Sequence, residues 1–389
     1  MPEDNQTEQK DLFESLLQRM AARYTTPIPD ESLRVDGAEA QAIAAKYGTG
    51  ALRFFDVREA PFVTHGLLYN GQSNAYCRLP AAVTDALDSN YITTLRFVTT
   101  GGRVRFVTDA DALALRCFSR IRGQIPEASD LSVSGFSVYE NGRFSGIFPP
   151  PPPRLLQGLS LAADRGFDGC VRLGKGTKEI TLAFPLHGGV DRVYIGVPVG
   201  ATVSAPAPYK IEKPVCFFGS SITQGGNVSR PGNNYPEHLS RWLGFDFINL
   251  GLAGNCKGQP EICDYIAGLS LSALVLEYDA NAPDRAFLEQ THLPFYRRFR
   301  EAQPDLPLLM LSRSCFEGSS DGKGRRVVVK ATYDYGIAAG DKHLWFLDGE
   351  TIFGSVDRDA CTVDRWHSTD LGAYRMAEAL KPYLTTMLA

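Results

Sequence analysis

The hydrophobic and polar positions fall into two textures. From about Ser32 to Val203 apolar residues alternate with polar ones in short β-branched runs, as in "TTLRFVTTGGRVRFVT", "DLSVSGFSVYENGRFSG" and "KEITLAFPLHGGVDRVYIGVPVGATV". A period of two sends one face of each strand into a core. Gly101-Gly102 and Asn141-Gly142 stand between such runs, where a tight hairpin needs positive φ. This half predicts an antiparallel β-sandwich. Ahead of it, Leu12, Phe13, Leu16, Leu17 and Met20 share one helical face within Gln9 to Tyr24, predicting a helix. The proline tract from Pro149 to Pro153 predicts an extended, exposed spacer.

After "SAPAPYKIEKP" the period changes. Continuous apolar runs at Val215–Phe218, Phe245–Leu250, Ala273–Glu277, Leu306–Leu311 and Leu344–Leu347 predict buried strands. Helical patterns at Pro236–Leu243, Glu261–Leu269, Asp284–Ala302, Arg325–Ala338 and Thr369–Met387 separate or follow them. Strands apolar on both faces, each followed by a helix, predict a parallel sheet covered on both sides. In such sheets ligands bind outside the carboxyl ends of the strands, so the residues just after each strand are the ones to inspect.

A chain of 389 residues with 44% hydrophobic content can build two cores. The predicted division is a helical segment over 1–31, a sandwich over 32–205 and an α/β domain over 206–389. Forty basic against forty-four acidic residues give a formal charge of −4 with no block of one sign, which excludes the footprint of a nucleic-acid binder. The acidic, then amphipathic start lacks the features of a secretory signal, and no run approaches the ~18–20 apolar residues of a membrane span. A cytoplasmic protein without membrane partners is expected. The 8 cysteines form no C-x-x-C pair, so reduced thiols and no metal are expected.

The strand ends carry Gly219-Ser220-Ser221, then "GLAGN" from Gly251 to Asn255, then Asp279-Ala280-Asn281; Asp364-Arg365-Trp366-His367 precedes the last helix. These are the parts of an acyl-transfer site: a hydroxyl, an imidazole to take its proton, a carboxylate to orient that imidazole, and oxyanion donors. Singly each has a plainer role. Ser221 or Ser220 would cap a helix, Gly254 would allow a turn, Asn281 would cap the next helix, and Asp364 and His367 would be solvated surface residues.

Taken in order, the four blocks resemble the SGNH, or GDSL-type, esterases and lipases. Gly219-Ser220-Ser221-Ile222 is similar to the Gly-Asp-Ser-Leu block, "NLGLAGN" to the second, Asn281 to the asparagine of the third, and Asp364-x-x-His367 to the last. Gly135-Phe136-Ser137-Val138-Tyr139 resembles the Gly-x-Asp-Leu-Tyr motif of the N-terminal domain that accompanies some of these esterases, matching at Gly135 and Tyr139. The resemblance implies a flavodoxin-like three-layer α/β/α domain with a five-stranded parallel sheet behind the sandwich. It also implies Ser221 as nucleophile, His367 as base, Asp364 as its orienter, and Ser221, Gly254 and Asn281 as oxyanion donors, with no cofactor. Ser220 and Ala282 stand where the family commonly has aspartates. An α/β-hydrolase elbow is excluded, because Thr223 occupies the position of its second glycine.

The expected activity is hydrolysis of a carboxylic ester, with a short acyl group on a sugar or other polar alcohol as the small-molecule substrate. An acyltransferase, a lipase or a thioesterase would use the same triad, and a non-catalytic binding module would not need it. The Gly-rich "GGNVSRPGNN" lacks the Gly-Lys-Ser/Thr of a phosphate loop. It is expected as a flexible rim whose Arg230, Asn234 and Tyr235 touch substrate. The remaining histidines are expected to be structural or surface residues.

Overall fold

The computed structural model describes residues 28–87, 89–119, 125, 127–151, 166–314 and 321–389. The helix expected between Gln9 and Tyr24 lies outside them, as do Pro152, Pro153 and Cys315.

The alternating half forms two antiparallel sheets. One runs Leu52–Asp56, Arg192–Pro198, Ala112–Phe118, Phe167–Arg172 in spatial order. The other runs Val203–Ser204, Arg103–Thr108, Lys178–Ala183, Phe136–Glu140, Arg143–Phe148, with Val63–His65 also paired to Arg103–Thr108. Inward side chains such as Val104, Phe106, Leu113, Leu115, Val138, Ile180 and Ile195 make one core. By the same period Arg103 and Arg105 point away from that core, yet they are only 3% and 5% exposed. The second half of the chain covers them.

Short helices also decorate this half, at Gly37–Tyr47, Ala81–Asp85, Asn90–Leu95 and Asp130–Ser134. The first has readable ends that the strand pattern overshadows. Asp36 accepts a hydrogen bond from the Glu39 amide at its start, and Gly48 takes a left-handed φ of 62° at its close.

The second half is a five-stranded parallel sheet in the order Phe245–Gly251, Ile211–Gly219, Ala273–Glu277, Leu308–Leu311, Leu344–Leu347. Helices Tyr235–Leu243, Pro260–Ala267, Arg285–Ala302, Gly322–Ala338 and Asp370–Met387 follow the strands. Numbered along the chain, the strand order is 2-1-3-4-5, the flavodoxin-like arrangement, whose switch point lies beside the first strand. Successive residues of that strand go to opposite layers. Cys216 and Phe218 join one core while Val215 and Phe217 join the other, which is why the run is apolar throughout.

The halves meet along the edge strand Phe245–Gly251. Buried Arg78 donates to the carbonyls of Asn249 (3.1 Å), Gly251 (2.7 Å) and Leu95 (2.8 Å). Arg103 ion-pairs with Asp246 and lies 3.8 Å over the Phe247 ring. These contacts cover a strand edge that would otherwise offer unpaired backbone groups.

Candidate active site

The short helix Ser221–Gln224 begins where the first parallel strand ends at Gly219. Its approach to the sheet requires glycine at two places. A Cβ at Gly219 would lie 2.1 Å from Thr223 Oγ1, and one at Gly251 would lie 2.2 Å from the Gln224 amide nitrogen. The two serines then divide their work. Ser220 is fully buried, caps the helix by accepting from the Ile222 amide (3.1 Å) and donates to Glu277 Oε2 (2.8 Å). Ser221 is partly exposed and its Oγ lies 2.8 Å from His367 Nε2.

On the other side of the ring, His367 Nδ1 lies 2.6 Å from Asp364 Oδ2. Asp364 Oδ1 accepts the backbone N–H groups of Trp366 (2.9 Å) and His367 (2.7 Å), so one carboxylate folds the loop and holds the imidazole. Arg365 sits between them at a left-handed φ of 70°. Such a conformation costs a non-glycine residue on the order of 1 kcal/mol and persists where surrounding bonds enforce it. Burial works to raise the Asp364 carboxyl, but the hydrogen bonds from His367 outweigh it and hold the group below its usual value. An ionised Asp364 accepting from Nδ1–H leaves Nε2 as the lone pair facing Ser221.

Two further turns follow the strands that flank the first one. Gly254 has a left-handed φ of 70°, in the turn after the second strand. Asn281 ends the 3₁₀ turn Asp279–Asn281, and its Oδ1 accepts from the Cys256 amide (3.3 Å), fixing the carbonyl end of the side chain and leaving its NH₂ as the remaining donor. The Ser221 amide, first in its helix, has no partner within that helix.

The three substrate-contact residues expected from sequence are not brought to this cluster. Asn234 is buried and caps helix Tyr235–Leu243 through the Glu237 amide (3.0 Å). Tyr235 is buried with its hydroxyl 2.8 Å from Thr223 Oγ1. Arg230 turns toward the sandwich, donating to the Tyr139 hydroxyl (2.7 Å) and lying 3.7 Å over Phe144. The loop they sit on is pinned rather than free. Asn227 donates its amide to Ser368 O (3.1 Å), and Ser229 N and Asn233 Nδ2 both donate to Asp370 Oδ1 (3.0 and 2.8 Å).

Sequence reasoning missed two supports. Glu277 Oε2 accepts from the Ser220 amide (3.1 Å), Ser220 Oγ and Thr223 Oγ1 (2.9 Å), tying the nucleophile turn to the third strand. Burial, then the nearby Asp279 charge, pushes Glu277 up to about 7 against those hydrogen bonds. A glutamate closing the apolar run "ALVLE" was the available signal. The second is His187 from the sandwich half, whose Nδ1 meets Gln224 Nε2 (2.9 Å) and whose Nε2 meets Gly226 O (3.0 Å). Burial drives His187 down to about 4, so it stays neutral there.

Among the described residues no group of three or more His, Cys, Asp or Glu is placed to hold a metal, and no helix is long and apolar enough to cross a membrane.

Residues 212–385 match the sequence model of the GDSL-like lipase/acylhydrolase family, and residues 52–203 match that of the N-terminus of SGNH-hydrolase-type esterases. Among solved structures, a GDSL-like lipase from Bacteroides ovatus ATCC 8483 is 24% identical and covers 87% of this chain and 98% of its own, with a TM-score of 0.75. A salicylyl-acyltransferase from a tetracycline biosynthetic pathway is 19% identical over 86% and 97% of the two chains, TM-score 0.68. An acetyl xylan esterase from the rumen bacterium Butyrivibrio proteoclasticus is 14% identical over 87% and 98%, TM-score 0.54. At these identities the likeness is one of fold. Among curated proteins none matches the sequence.

Proposed function

We propose that this chain, whose residues 212–385 match the GDSL-like lipase/acylhydrolase family and whose residues 52–203 match the N-terminus of SGNH-hydrolase-type esterases, is an SGNH hydrolase that cleaves a carboxylic ester through an acyl-enzyme on Ser221. The observation that carries the reading is the unbroken chain Ser221 Oγ, His367 Nε2, His367 Nδ1, Asp364 Oδ2 at 2.8 and 2.6 Å. His367 takes the Ser221 proton as Oγ attacks the acyl carbon. The oxyanion is met by the Ser221 and Gly254 amides and the Asn281 NH₂. His367 then protonates the departing alcohol, activates a water, and the cycle repeats on the acyl-enzyme to release the acid. Asp364 remains ionised throughout and stabilises the imidazolium.

The substrate we propose is a short acyl group, acetyl above all, on a sugar or similarly polar alcohol. Several fold relatives are carbohydrate esterases, which supports this class. Fluorophosphonate labelling tests the site. Ser221→Ala loses both label and turnover of p-nitrophenyl acetate, while Ser220→Ala keeps the label. Label recovered on Ser220, or kept in Ser221→Ala, overturns the assignment. Rates on acetylated xylose set beside p-nitrophenyl octanoate test the substrate, and faster cleavage of the octanoate overturns it.

A further inference from the structure

A cavity of about 320 Å³ between the sandwich and the edge of the parallel sheet is not explained by the catalytic reading. Its wall includes Arg103, Arg105 and Tyr139 from the sandwich, Tyr209 from the connecting segment, and Glu237 and Arg241 from helix Tyr235–Leu243. None of its lining residues belongs to the triad or to the turns after the parallel strands. The volume is at the lower end of the ~300–1,000 Å³ usual for small-molecule sites.

Two buried charged groups on this wall have unmet hydrogen-bonding capacity. Glu237 is 3% exposed, and neither carboxylate oxygen has a hydrogen-bond partner among the described residues. Arg105 is 5% exposed. Its Nη2 donates to both oxygens of Glu179 (2.9 Å each) and its guanidinium lies 4.1 Å over Tyr209, but Nη1 has no hydrogen-bond partner among the described residues. A buried polar atom left unpaired costs on the order of 1–3 kcal/mol, more if charged. Of the other lining cations Lys210 is exposed, and the two arginines are engaged. Arg103 donates to the Tyr209 hydroxyl (3.0 Å) and pairs with Asp246, and Arg241 donates to Gly232 O (2.6 Å).

The unmet set restricts the ligand. An anion would answer Arg105 and leave Glu237 unpaired. An ammonium or other cation, free or within a zwitterion, would face Glu237 amid the positive charge of Arg241, Arg103 and Arg230, which act on that carboxyl in this order. A neutral group bearing adjacent hydroxyls answers both, donating to Glu237 and accepting from Arg105, without bringing charge into the cavity.

We propose that this seam cavity is a second binding site, separate from the catalytic one, for a neutral polyhydroxylated ligand the size of a single sugar ring. The inference is independent of the reaction at Ser221, since it rests on other residues.

Ligand-detected NMR titration of the full chain at pH 8 tests it, with D-xylose and D-glucose as probes, acetate as the anion and L-alanine as the zwitterion. Expected is saturable sugar binding with a dissociation constant on the order of 1 mM. It weakens about tenfold in Glu237→Gln and in Arg105→Lys, one charge-assisted hydrogen bond each. Either variant alone decides the matter if the other fails to fold, as judged by its thermal melt. Sugar binding of equal strength in wild type and a folded variant places the sugar elsewhere and overturns the proposal. So does binding of acetate or alanine in preference to the sugars, or no sugar binding at all.

Discussion

Glu277, beside the nucleophile turn, and Glu237, under the sandwich, are both buried, and burial pushes each up to about 7. Their surroundings differ. One oxygen of Glu277 gathers three donors from Ser220 and Thr223, so the carboxyl serves as an anchor for the residues around Ser221. Among the described residues Glu237 has no side-chain donor, and what opposes its burial is the field of Arg241, Arg103 and Arg230 with a weaker contribution from the Gly232 amide. The same upward push by burial therefore accompanies different roles. A carboxyl with one oxygen held by three fixed donors specifies a geometry even though its Oε1 finds no partner among the described residues, whereas one with neither oxygen so held keeps its hydrogen-bonding capacity for something that arrives. The contrast implies that substitutions at the strand ends are read in the rate, and those in the seam in stability and ligand binding.

Asp364→Asn gives the largest effect on the strand-end side. The amide keeps a similar shape but favours the wrong tautomer and cannot stabilise the imidazolium, so kcat/KM on p-nitrophenyl acetate falls by about 10⁴. A loss under about tenfold would break the contrast at its strongest point, because the 2.6 Å contact to His367 would then have no bearing on the rate.

Asn281→Ala comes next. Its NH₂ acts once negative charge has developed, so kcat falls by about 10²–10³ with KM little changed. A change confined to KM would make Asn281 a binding group and remove it from the oxyanion site.

The strand-end chemistry was legible for a physical reason. A parallel sheet buried on both faces writes its strands as continuous apolar runs, and the crevice rule then directs attention to Ser221, Gly254 and Asn281. The antiparallel half was legible in its strands by the same logic of period, but that period says only that Arg103 and Arg105 leave the sandwich core. What covers them is set by the fold of residues more than a hundred positions away, so the seam was invisible. Asn234 was misplaced for a local reason that could have been read. Asn234-Tyr235-Pro236-Glu237 is the start pattern of a helix, with an N-cap, an early proline and an acidic third position. A residue that caps through its own side chain is not free to reach substrate. Tyr235 looked like a rim residue because it follows Asn234, yet its ring packs against Phe217 at 5.7 Å between centroids.

Glu277→Gln probes the anchor itself. Gln keeps one acceptor for the Ser220 and Thr223 donors and loses the charge that strengthens those bonds. The nucleophile turn loosens by about one hydrogen bond's worth, and kcat falls roughly tenfold. The accompanying signature is in the pH profile. Ionisation of Glu277 near 7 contributes to the wild-type profile, so removing that carboxyl changes the shape of the limb as well as its height. A uniform drop at every pH would reduce Glu277 to a packing role.

Glu237→Gln changes the rate least and is read instead in stability as a function of pH, without ligand. A carboxyl raised from its ordinary 4.5 to about 7 on folding holds its proton more tightly in the folded chain than in the unfolded one. Its contribution is present below about pH 4.5 and is lost as pH rises through about 7. For a shift of this size the loss is on the order of 3 kcal/mol. Gln cannot ionise, so the difference in unfolding free energy between variant and wild type should move in favour of the variant by that order between pH 4.5 and pH 8. The comparison of differences cancels the titrations common to both chains, those of Glu277 and of Asp279, itself raised to about 6, included. Urea unfolding at the two pH values measures it. A difference that stays constant with pH would mean that the Arg241, Arg103 and Arg230 field already compensates the ionised carboxylate, and the contrast between the two glutamates would narrow to their hydrogen bonds alone.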